Sequence, residues 1–127
     1  MEYVYFVIVL ALIEYMVLGG IVGHARGKHG VRAPDCVGPD DFNRKFRVHQ
    51  NTLEALVIFL PAIWICGRYL SPTIAAVLGL VWIVGRAMYA RSYIKAPESR
   101  GPGAAICGFM NIFLVLGGLV GLVRQML

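Results

Sequence analysis

NRKFRVHQNTLE, residues Asn43 to Glu54, runs without a break into ALVIFLPAIWIC, residues Ala55 to Cys66. A basic, polar helix start continuing into an apolar run puts Arg47, Asn51 and Glu54 where lipid rejects charge and strong polarity. At positions i, i+4 and i+7 these residues share one helix face, with Gln50 on its edge. The stretch sets two expectations: a helix that enters a membrane, and a second polar helix face at similar depth to meet it.

The rest of the chain supports the first expectation. Its 127 residues are 58% hydrophobic, and the mean hydropathy of +0.70 is too high for a soluble domain with an ordinary surface. A spanning helix needs about 20 mostly apolar residues, which predicts four spans, near 3–23, 47–70, 72–94 and 104–124. The fold class is therefore an all-α integral membrane protein, a four-transmembrane-helix bundle forming one domain over residues 1–127.

The formal charge of +5 has a simpler source than nucleic acid binding. Arg26, Lys28, Arg32, Arg44, Lys45 and Arg47 cluster around the first connection. Arg86, Arg91, Lys95 and Arg100 cluster around the third span's end, whereas only Arg68 and Arg124 mark the opposite side. Positive charge on cytoplasmic loops then places both basic connections in the cytoplasm and both termini outside. Glu2 and a long apolar run make Met1 to Gly23 a retained span rather than a signal peptide. Cys36, Cys66 and Cys107 have no metal-like spacing and read as packing residues.

Within the first span Glu14 should face other helices or be protonated, and Gly19, Gly20 and Gly23 should permit close helix approach. The Gly-, Pro- and Asp-rich stretch from His24 to Phe42 reads as irregular, with Asp41 capping a helix that starts near Phe42 and Arg44 and Lys45 anchoring to headgroups. Ser71-Pro72 is short enough to force spans two and three into an antiparallel hairpin. The second polar face then comes from GRAMYARSY, where Arg86, Tyr89 and Tyr93 stand at i, i+3 and i+7. Glu54, at similar depth, is the available counter-ion for Arg86. IKAPESRGPG, residues 94–103, should end the third helix and carries Arg100 close after the tyrosine face. The fourth span reads as a packing helix, with Gly117 and Gly121 in close-approach spacing and Asn111 as a structural hydrogen-bonder.

Arginines beside phenols and amides suit an anionic, peptide-like ligand, since guanidinium groups bind carboxylates in bidentate fashion. No metal set is visible, and His24, His29 and His49 lack a nucleophile partner. His49 reads as an interfacial polar residue.

RKFRVHQNTLE, the proline-bearing span after it and GRAMYARSYIKAPESR together resemble the MAPEG family, the membrane-associated proteins in eicosanoid and glutathione metabolism, along essentially the whole chain. The resemblance, to short bacterial members, implies a homotrimer in a bacterial inner membrane that binds glutathione between subunits at the cytoplasmic end. It implies conjugation of the glutathione thiolate to a lipophilic electrophile as a detoxifying reaction, or reduction of a lipid hydroperoxide, without metal. Arg47, Asn51, Glu54, Arg86, Tyr89 and Tyr93 match the glutathione-holding positions of the leukotriene C synthase branch. Arg26 matches an arginine reaching in from a neighbouring subunit, and Arg100 matches the residue credited with activating the thiol. His49 and Gln50 are possible additions; His49 stands where that branch has glutamine, and Ala55 where it has a tyrosine. Two other family roles remain open alternatives: a non-catalytic lipid-binding scaffold, as in the 5-lipoxygenase-activating protein, and a glutathione-dependent endoperoxide isomerase, as in the prostaglandin E synthase branch.

Overall fold

A computed structural model describes all residues from 1 to 127. It contains α1 (Glu2–His29), α2 (Asp40–Tyr69), α3 (Pro72–Lys95), a single 3-10 turn (Pro97–Arg100) and α4 (Gly101–Met126). All four α-helices meet the length and apolarity needed to cross a bilayer. At 1.5 Å per residue, 24 to 30 residues reach about 36 to 45 Å, more than the roughly 30 Å hydrocarbon layer, so their ends project beyond it. Only 29 of 127 residues are buried, while Phe6, Met16, Val57, Phe109 and Leu119 lie exposed. Such an outer surface suits lipid or a neighbouring apolar face, not water.

α2 and α3 form the central pair, against which both α1 and α4 pack. Its heart is Phe59 stacked on Trp82, ring centroids 4.1 Å apart, beside the buried Ile63 and Val7. Ser71 makes the expected tight link: its Oγ accepts from the Ile74 N–H at 3.3 Å, and Pro72 opens α3. Pro61 lies inside an unbroken α2.

The first connection is shorter than the sequence suggested. α1 continues to His29 and stops at Gly30, whose φ of 66° is left-handed; the N–H groups of Gly30 and Val31 both return to the Arg26 carbonyl. α2 starts at Asp40, and Asp41 lies in its first turn without capping it. Asp41 instead hydrogen-bonds His29 Nε2 and accepts from Lys45 Nζ, each at 2.9 Å, tying the end of α1 to the start of α2. Those two bonds lower its pKa to about 2. The entry turn is closed by Asn43, which accepts from the Gly38 N–H and donates to the Gly38 carbonyl.

Other expectations need correction as well. Arg44 donates to the carbonyls of Ile94 and Lys95 at the end of α3, and Lys45 is bound to Asp41, so both tie helices together within the chain. Gly19 accommodates the His49 ring, but Gly20 and Gly23 face open space. Cys66 and Cys107 are buried, whereas Cys36 is exposed. Gly117 and Gly121 do pack, bringing α4 onto the C-terminal turn of α2.

Candidate functional site

α3 presents Arg86, Tyr89 and Tyr93 towards the end of the bundle where the chain passes from Lys95 into α4. That passage is short and pinned. Ser99 Oγ donates to the Ala96 carbonyl at 2.8 Å and reaches the Ser92 carbonyl at 3.1 Å. Gly103 then lets α4 touch the α3 backbone, since a β-carbon there would stand 2.5 Å from the Tyr89 nitrogen. The contact brings Arg100, just before the first turn of α4, beside the tyrosines: its Cζ is 5.8 Å from the centre of the Tyr93 ring.

Between α2, α3 and α4 lies a cleft of about 310 Å³, bordered by Asn51, Arg86, Tyr89, Arg100, Ala55 and Asn111 among others. Asn51 Nδ2 donates to the Tyr89 hydroxyl at 2.6 Å, fixing the two facing helices in register. Arg86 is 95% buried, only 5% of it remaining exposed. Its Cζ lies 4.7 Å from the Tyr89 ring centre and 5.3 Å from that of Trp82, a cation–π setting that offsets part of its desolvation. Tyr93 sits next to Tyr89, ring centroids 5.7 Å apart.

The structure divides the remaining site residues. Arg47 and Glu54 are exposed on the single chain, and no ion pair joins Glu54 to Arg86; the ion pairs are Met1–Glu2, His29–Asp41 and Lys45–Asp41. The cause is angular. At about 100° per residue, Arg47 and Glu54 lie roughly 40 to 60° to the same side of Asn51, so when Asn51 meets α3 they turn away. Arg26 is held elsewhere, donating to the Asp35 carbonyl at 2.7 Å with its Cζ 5.1 Å from the Phe42 ring centre. His49 stacks on Tyr15 of α1, centroids 4.3 Å apart, and so faces away from the cleft, while Gln50 is half-buried.

Asn111 is the structural hydrogen-bonder its sequence suggests, and it also borders the cleft. It donates to the Ala55 carbonyl at a long 3.4 Å, yet its Oδ1 is buried without a partner at the cleft wall. The signal was present: Ala104, Cys107, Gly108 and Asn111 recur at i, i+3, i+4 and i+7, a narrow small-residue stripe ending in an amide. In chemical terms the cleft offers two guanidinium groups, a phenol and two carboxamides. These can bind a carboxylate or thiolate and pair with peptide amides.

The profile of the MAPEG family matches residues 4–121. An uncharacterised protein of Synechocystis sp. is 45% identical over 117 residues, 92% of this chain and 85% of its own length. Mouse microsomal glutathione S-transferase 2 is 38% identical over 99 residues, 77% of this chain and 67% of its own. Guinea-pig leukotriene C4 synthase is 34% identical over 76 residues, 60% of this chain and about half (51%) of its own.

Proposed function

The chain belongs to the MAPEG family, and from that premise we propose that this integral membrane protein is a glutathione transferase. It joins the glutathione thiolate to lipophilic electrophiles at the membrane boundary; lipid hydroperoxides are a further substrate class, each reduced to the alcohol and water as two glutathiones become the disulfide. The observation that carries the reading is the convergence of Asn51, Arg86, Tyr89 and Arg100 on one cleft. Names among the relatives support it: glutathione S-transferase and leukotriene C4 synthase.

Glutathione has two carboxylates, an ammonium group, two peptide bonds and a thiol. A free thiol has a pKa of about 8.5, so only a few per cent is thiolate near neutrality. Arg100, beside Tyr93 and the start of α4, stabilises the thiolate through its guanidinium and so raises the attacking fraction. The thiol proton leaves to solvent, the sulfur forms a bond to the electrophilic carbon, and the carbon's leaving group departs or its ring opens. Arg86, Asn51 and Tyr89 bind and orient the peptide body.

Arg47 and Glu54, exposed beside Asn51, and Arg26 in the last turn of α1 complete the site in a homotrimer, with glutathione between subunits. The open faces at Gly20 and Gly23 support such an interface. The basic connections support a cytoplasmic site and periplasmic termini in a bacterial inner membrane. The test is conjugation of a chromogenic electrophile by purified protein in detergent. Glutathione-dependent turnover that Arg100→Ala removes is expected; wild-type turnover in Arg100→Ala overturns the thiol-activating role.

A further inference from the structure

Arg86 borders two cavities. Besides the cleft, it lines a crevice of about 450 Å³ between α1 and α3, where Glu14 and Ile21 of α1 face Arg86 and Ala90 of α3, with the exposed Arg91 at the rim. Glu14 Oε1 and Arg86 Nε are both buried without a hydrogen-bond partner, and the two side chains do not form an ion pair. Of the seven acidic residues only Glu14 and Glu54 lie within the spans, and Glu54 is exposed. Glu14 is therefore the carboxylate that shares a cavity with the buried guanidinium.

We infer that Glu14 sets the anion affinity of the cleft, because its carboxylate and a bound anionic ligand draw on the same Arg86 charge from opposite sides. This rests on glutathione being the anion. In a bundle of low polarity, opposite charges that line one crevice attract each other even without direct contact. Glu14 thus stabilises Arg86 in the empty protein, and by the same interaction reduces what an incoming anion gains from it. The residue acts on the site through Arg86 without touching glutathione.

Titration calorimetry with glutathione, together with thermal melting in detergent, tests this on Glu14→Gln, which keeps size and hydrogen-bonding capacity. The variant should bind glutathione about fivefold more tightly, a modest coupling, and melt below wild type when empty, the deficit shrinking at saturating glutathione. In an Arg86→Gln background the same change should alter affinity less than twofold. Equal or weaker glutathione binding by folded Glu14→Gln overturns the inference, as does an equal gain in both backgrounds. If Glu14→Gln alone fails to fold, the double variant, which removes both charges, should recover a cooperative melt; no recovery overturns the pairing. Should wild type bind no glutathione, the glutathione reading fails separately, and the melting comparison of single and double variants still decides whether Glu14 and Arg86 are partners.

Discussion

At the Ser71 end of the bundle, α2 and α3 are joined by two residues, Leu70 and Ser71, and α4 lies against the Tyr69 backbone through Gly121. At the Arg100 end, α4 makes the same kind of backbone contact through Gly103, yet the helices around it enclose a polar cleft. One packing device serves opposite purposes. With only apolar neighbours a glycine contact closes the bundle; beside Arg86, Asn51 and Tyr89 it holds a guanidinium-rich site in place without filling it.

The comparison predicts effects of decreasing size. Removing the Arg100 guanidinium should cost the most: Arg100→Ala should lower kcat for conjugation about a hundredfold, the scale of losing one charge-stabilising donor, while the melting curve stays near wild type.

Gly103→Ala and Gly121→Ala each push a β-carbon to 2.5 Å from backbone of the facing helix. Both should destabilise by about 1 to 3 kcal/mol, the range for overpacking. Only Gly103→Ala should also weaken glutathione binding, measured by calorimetry, because only it displaces Arg100 from the tyrosines. Equal losses of affinity at both positions would dissolve the distinction between the ends.

Tyr89→Phe removes the acceptor of the 2.6 Å bond from Asn51. It should cost about 1 kcal/mol of stability, typical of one hydrogen bond, together with a severalfold rise in the KM for glutathione.

The smallest effect lies at the first connection. The Asp41 pKa is depressed from 3.8 to about 2 by its bonds to His29 and Lys45. The stabilisation is therefore complete above about pH 4 and lost as pH falls towards 2. Asp41→Asn should flatten that acid limb of the melting temperature against pH and leave turnover unchanged.

Much of this was legible in the sequence because membrane helices declare their length and register openly. The four spans, the Ser71-Pro72 hairpin and the Arg86–Tyr89–Tyr93 stripe follow from apolar runs and helical spacing. Pairing across helices was less legible, since it depends on how each helix is rotated about its axis. Glu54 matched Arg86 in depth but points away once Asn51 engages Tyr89, and Glu14, on α1, shares a cavity with Arg86 instead. Arg44 looked like a headgroup anchor because no one-dimensional pattern shows that its reach ends on the α3 carbonyls. Asn111 makes the structural bond its sequence suggested, to the Ala55 carbonyl, whereas its place on the cleft wall depends on how α4 is rotated and no one-dimensional pattern shows that.

The central claim, that the cleft binds glutathione and holds it as the thiolate beside Arg100, is tested most directly by measuring protons released on mixing. Weakly buffered wild-type protein with saturating glutathione near neutral pH should release close to one proton per occupied site, together with thiolate absorbance, and Arg100→Ala should bind glutathione with little release. Glutathione binding to wild type without proton release, or equal release from both proteins, would contradict the account.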